Sequence, residues 1–165
     1  MVKRIVLLSA FFLFGICGCS DNSPEVAHLK EAIRQYDRLL SEGYSNMDMN
    51  PLKQITSQEQ YFRVFQHMMA LKDSQLKLES KLKKLTIDEV QFVGGNKAFV
   101  KAKEVWDFSQ ISIKTGKTEF EASDAVHQLT YELEKKSNKW LISSVTAADE
   151  KDLKKESVNK RIENK

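Results

Sequence analysis

Two cysteines, three histidines and a Gly-Lys-Thr triplet are the side chains of this 165-residue chain whose types most readily carry chemistry. Cys17 and Cys19 flank Gly18 at the end of an apolar run. Such a pair serves as a nucleophile, half a zinc site or a disulfide only if the sulfurs stay free in the folded protein. His28, His67 and His127 stand 39 and 60 residues apart. No His-x-x-x-His pair places two ligands on one helix face, so no metal site is expected. Gly116-Lys117-Thr118 has the form of the end of a phosphate-binding loop, but Ile111 stands where that loop requires its first glycine. The triplet therefore reads as a turn. No Gly-x-Ser-x-Gly elbow is present, and no serine has a placed His/Asp partner. No cofactor is expected.

The surroundings of the two cysteines decide their fate. Lys3 and Arg4 precede a run from Ile5 to Ile16 broken only by Ser9 and Gly15. A short basic region followed by about a dozen apolar residues is the pattern of a secretory signal peptide, and it falls short of the roughly 20 residues that span a bilayer as a helix. Ile16-Cys17-Gly18-Cys19 then resembles a bacterial lipobox, with an aliphatic residue at −3, small residues at −2 and −1, and cysteine at +1. Cys17 does not fit the frame, because it would place the bulky Ile16 at −1. The resemblance implies cleavage before Cys19, a diacylglyceryl thioether on its sulfur and an acylated new N-terminus. It leaves no free thiol in the mature chain. Ser20 after the lipidated cysteine resembles an outer-membrane lipoprotein facing the periplasm; in a single-membrane bacterium the same anchor would hold the protein on the outer face of the cytoplasmic membrane. The implied division is a signal peptide over 1–18, a lipidated tether over 19–23, a folded domain over 24–145 and a charged tail over 146–165.

The whole chain has 26 basic and 23 acidic residues, a net +3, but two of those basic residues are Lys3 and Arg4. The 147-residue remainder is nearly neutral, which removes the electrostatic argument for nucleic-acid binding. The elements follow from periodicity. Ser23-Pro24-Glu25 is a helix start, and Val26, Leu29, Ile33, Tyr36 and Leu40 form one apolar face that should close near Gly43. A turn or short helix is expected from Pro51. Ser57 and Gln60 have the spacing of a capping box, and Tyr61, Val64, Phe65, Met68, Leu71, Leu78, Leu82 and Leu85 keep a helical period. That predicts one long helix to Leu85, or two with a kink; a break near Asp73-Ser74, with Leu76 and Leu78 starting a strand, is the other option. Lys72, Lys77, Lys81, Lys83 and Lys84 would line the opposite face, either solvated or resting on anionic lipid. Gly94-Gly95-Asn96 predicts a hairpin that joins a strand carrying Ile87, Val90, Phe92 and Val93 to a longer one over 98–108; further strands follow over 127–133 and from Trp140 to Val145. The residues after Val145 carry almost no apolar side chains and read as a disordered tail.

Helices followed by antiparallel strands make an α+β protein. The order of elements is similar to that of the nuclear transport factor 2-like superfamily: an amphipathic first helix, a short Pro51 segment, a hairpin into Ala98–Phe108, and Tyr131-Glu132-Leu133 turning into Lys139-Trp140-Leu141-Ile142. The resemblance implies N-terminal helices packed on a curved antiparallel sheet, a cone whose interior hosts enzymes in some members and binding sites in others. It implies Tyr36, Trp106, Asp107, His127 and Tyr131 as pocket-lining candidates, none within a catalytic motif. The expected function is a membrane-anchored envelope binding or scaffold module, held through the lipid on Cys19 and meeting an envelope protein partner. The alternative is a small-ligand enzyme of isomerase or dehydratase type using the cone interior.

Overall fold

The computed structural model describes residues 23–148; the expected signal peptide over 1–18, Cys19 and most of the expected charged tail lie outside them. Two helices, α1 (Pro24–Asn46) and α2 (Gln58–Asp73), joined through a 3-10 turn over Asn50–Gln54, precede four strands. These are β1 (Leu76–Val93), β2 (Lys97–Ser112), β3 (Thr118–Lys136) and β4 (Lys139–Ala147), paired antiparallel in the order β1-β2-β3-β4. This is the helix-on-curved-sheet α+β architecture that the order of elements predicts. The helices cover one face of the sheet. Leu29, Ile33 and Tyr36 of α1 and Val64, Met68 and Leu71 of α2 pack there against Ala98, Val100 and Ala102 of β2, Tyr131 and Leu133 of β3, and Trp140 and Ile142 of β4.

Both helix starts follow from their caps. Ser23 Oγ accepts from the Val26 amide at 3.2 Å with Pro24 in the first turn, and Ser57 Oγ accepts from the Gln60 amide at 3.1 Å. The capping box is only half formed. The Ser57 amide donates to the Ile142 carbonyl at 2.8 Å, tying α2 to β4, and the Gln60 side chain turns inward to Tyr36. The first helix also ends later than expected, at Asn46, with Met47 taking the left-handed position (φ 56°) and donating to the Gly43 carbonyl. Gly43 itself stays helical, and its role is close approach: a Cβ there would stand 2.6 Å from Met49 Sδ and 3.0 Å from the Asp48 carbonyl oxygen.

The long second helix is not present. α2 stops at Asp73, Gln75 takes φ 59°, and β1 begins at Leu76, so the lysines beyond Lys72 lie on a strand and not on an amphipathic helix. The reason is two bulges. Register shifts between Leu82 and Lys84 and between Ile87 and Glu89 each insert one extra residue. The inward side chains of β1 therefore fall at 76, 78, 80, 82, then 85, 87, then 90, 92, and the three-residue steps at the bulges mimic a helical period. At the far end, β3 begins at Thr118, nine residues before the expected strand over 127–133. β4 covers β3 only from Leu129 to Lys136, so the outer edge of β3 over 118–127 has no strand partner among the described residues. Asp124 sits in that stretch with φ 55°, opposite a register shift in β2 between Trp106 and Phe108.

Replacing Gly43 with Ala should destabilise the domain by about 1–3 kcal/mol, since the new methyl must displace the buried Met49 side chain and the 48–49 backbone. Urea unfolding of the two proteins measures this, and equal midpoints would show that the turn yields freely.

Candidate functional site

The inward face of β2 reads Ala98, Val100, Ala102, Glu104, Trp106, all buried. Four of these are apolar. The fifth places a carboxylate, 1% exposed, on the face that the helices cover. Strand β3 lays Tyr131 beside it, and α1 contributes Tyr36 and Asp37 one turn beyond Ile33. Around these side chains the sheet and α1 leave a cavity of about 330 Å³. Its walls include Leu40, Leu78, Phe108 and Val145, with Tyr44, His67 and His127 among the polar lining.

The polar groups are mostly bound to each other. Tyr131 Oη lies 2.5 Å from Glu104 Oε1 and 3.0 Å from Asp37 Oδ1, while Trp106 Nε1 donates to Glu104 Oε2 at 2.7 Å. Gln60 Nε2 donates to Tyr36 Oη at 2.7 Å, and Tyr44 Oη lies 2.6 Å from His67 Nδ1. Tyr36 and Tyr131 meet edge to face, their ring centres 6.2 Å apart. One hydroxyl has one proton, so Tyr131 cannot donate to both carboxylates. Burial and the neighbouring Glu104 push the Asp37 carboxyl up to about 8, and burial also raises Glu104. At neutral pH a protonated Asp37 can donate to the Tyr131 oxygen while Tyr131 donates to Glu104 Oε1. Burial raises Tyr36 and Tyr131 above the usual phenol range and Tyr44 to about 12, so all three stay neutral. Asp37 Oδ2 remains buried without a hydrogen-bond partner among the described residues.

Of the candidates named from the sequence, Tyr36, Trp106, His127 and Tyr131 line this one cavity. Asp107 does not. It is 39% exposed at the side chain, accepts from the Asp124 amide at 2.9 Å and lies 3.5 Å from Lys83 Nζ. That amide and the lysine hold its carboxyl below the ordinary range. Alternation explains the placement: with Trp106 facing inward, Asp107 must face out, where it ties down the bulge. The carboxylates inside are Asp37 and Glu104, which sequence reasoning passed over. Glu104 had a signal, being the one charged residue at an inward position of an otherwise apolar alternation. Asp37 had a weaker one, following Tyr36 on the covered face of α1. Among the described residues no group of histidine, cysteine and carboxylate side chains is arranged to hold a metal ion, and no helix is long and apolar enough to cross a membrane.

Asp37 titrates above its unfolded value of 3.8, so folding favours its proton. Its contribution to stability is complete below about pH 4 and is lost as pH rises to about 8. Thermal unfolding between pH 5 and pH 8 should show a melting temperature that falls with pH, and Asp37→Asn should flatten that slope; a wild-type slope kept in the variant would contradict the assignment. Tyr131→Phe removes the hydroxyl shared by two buried carboxylates and should cost about 1–3 kcal/mol in chemical denaturation. An unchanged midpoint would count against the network.

A family model described as ARC6-like, IMS domain, matches residues 44–143, from the last turn of α1 to β4 and including Glu104 and Tyr131. No curated protein matches the chain in sequence at a significant level. Among solved structures, the intermembrane space region of chloroplast protein ARC6 superposes with a TM-score of 0.64 at 16% identity, over 72% of this chain and 92% of that one. A periplasmic fragment of TraM superposes with a TM-score of 0.51 at 9% identity, covering 73% and 97%. An NTF-2-like protein of unknown function from Shewanella oneidensis MR-1 gives 0.46 at 17% identity, covering 73% and 99%. At such identities the structural likeness extends to the fold alone. The family match spans well over half of the chain, which therefore belongs to the ARC6-like IMS-domain family.

Proposed function

We propose that this protein is an exported envelope lipoprotein, tethered through lipid on Cys19, whose ARC6-like domain acts as a binding module on the far side of the cytoplasmic membrane. The observation that carries the binding role is the state of the cavity's polar groups. Glu104 is engaged by Tyr131 and Trp106, Tyr36 by Gln60, and Tyr44 by His67. Side chains bonded to one another in this way shape and polarise a cavity that a ligand can enter. The address rests on the lipobox-like Ile16-Cys17-Gly18-Cys19 and the basic, apolar stretch before it. It agrees with structurally similar domains taken from an intermembrane space and a periplasm. Two or more acyl chains, each contributing about 0.8 kcal/mol per buried methylene, hold a domain firmly to a bilayer. Confinement to that plane raises its effective concentration towards envelope partners.

A second reading, a small-ligand enzyme of isomerase or dehydratase type, has one observation in its favour. The Asp37 carboxyl, raised to about 8, would lie in the range useful for general acid or base work. The two readings separate on turnover: an isomerase or dehydratase converts a bound ligand, whereas a binding module returns it unchanged. The anchor has its own test. Cys19→Ala should move the protein out of the membrane fraction and remove the acyl mass from the mature N-terminus. Unchanged fractionation, with no acyl mass on the wild type, would overturn the lipoprotein assignment.

A further inference from the structure

The cavity that the binding reading relies on also has a chemical bias. No lysine or arginine is among its lining residues, although the chain carries 26 of them. It holds instead two buried carboxylates, Asp37 and Glu104, beside aromatic rings such as Trp106 and Phe108. Every buried polar lining group described above except one is hydrogen-bonded within the protein. The exception is Asp37 Oδ2, an acceptor on a side chain only 2% exposed, with no donor in reach among the described residues.

An unpartnered buried acceptor calls for a ligand that brings a donor, and an acidic, aromatic lining sets which donor. We propose that the cavity between α1 and the sheet binds a small organic ammonium ion, a primary amine on an apolar body, with the ammonium donating to Asp37 Oδ2. A neutral hydroxyl could supply one hydrogen bond. An ammonium supplies a charge-assisted one and is also attracted to aromatic faces. A carboxylate or phosphate ligand finds no lysine or arginine to pair with, the only basic side chains in the lining being the imidazoles of His67 and His127, and it is repelled by Glu104. The walls Leu40, Leu78 and Val145 suit the apolar body, and about 330 Å³ lies at the small end of ligand cavities. Charge balance is met within the site. The arriving ammonium lowers the carboxyl's affinity for its proton, Asp37 releases that proton to solvent, and an ion pair replaces a neutral acid.

This inference rests on the cavity's being a binding site, and the experiment separates the two. Benzylamine, benzyl alcohol and benzoate share one body and differ only in the head group. Each is titrated calorimetrically at neutral pH into the full chain held in zwitterionic nanodiscs, with empty nanodiscs as the blank. The expected order is benzylamine tighter than benzyl alcohol by at least about tenfold, with no detectable benzoate binding. Benzylamine heats should differ between buffers of different ionisation enthalpy, reporting the released proton. Asp37→Asn should erase the preference for the amine over the alcohol, and an unchanged circular dichroism spectrum with cooperative unfolding shows that the variant still folds. Val145→Trp should abolish binding of both by filling the space. Benzyl alcohol or benzoate matching the amine would overturn the ammonium preference and leave the binding cavity standing. An amine preference that survives in Asp37→Asn would also overturn it. No heat from any of the three would overturn the cavity as a binding site as well.

Discussion

A single phenolic hydroxyl, that of Tyr131, stands between two carboxylates that come from different layers of the molecule. Asp37 belongs to α1 and Glu104 to β2, and Tyr131 reaches both from β3. Each carboxylate alone would be an expensive group to bury, and two within reach of one another repel if both are ionised. Sharing one proton and one hydroxyl makes the pair tolerable. It also sets how α1 lies on the sheet, since the helix cannot rotate or slide without parting Asp37 from Tyr131. Neighbouring contacts extend the constraint: Trp106 holds the other oxygen of Glu104, and Gln60 of α2 donates to Tyr36, whose ring meets that of Tyr131 edge to face. The cavity is the space these polar contacts keep open in a region that aliphatic side chains would otherwise fill.

Much of the architecture was legible in the sequence because its signals are local. Ser23-Pro24 marks the start of α1, Ser57 the start of α2, and Gly94-Gly95-Asn96 the first hairpin; each is a matter of a few residues' torsions and caps. The misread stretch, Leu76 to Leu85, failed for an equally definite reason. A one-residue bulge after Leu82 turned a two-residue period into a mixture of twos and threes, and only pairing with β2 shows it. The site was legible in part. Tyr36, Trp106, His127 and Tyr131, candidates that the family resemblance implied, line the cavity between α1 and the sheet. Asp107 was chosen for being an acid next to a tryptophan, when strict alternation from Trp106 turns it outward and Glu104 inward. The closeness of Asp37 to Glu104 is a long-range fact that no local pattern encodes.

The ARC6-like family match and the N-terminal pattern address different parts of the chain, one the domain and the other how it would be delivered. The match begins at Tyr44, so Tyr36 and Asp37 precede it, while Glu104 and Tyr131 fall inside it. The polar centre is thus assembled across the boundary of the matched region. Family membership accounts for the sheet and the second helix. The acid that completes the centre lies on the part of α1 before the match.

The outer edge of β3 beyond β4 has one further consequence. A flat strand edge is a template on which another chain can add itself, and a molecule kept in a membrane plane would meet its own copies often. Here Asp124, in its left-handed conformation and pinned by Lys83 at 2.6 Å, breaks that edge into two short pieces. Glu119 and Glu121 give the outer piece a charge that repels an identical neighbour. The break that Asp107 ties down thereby also shortens the free edge on which another chain could pair and extend the sheet.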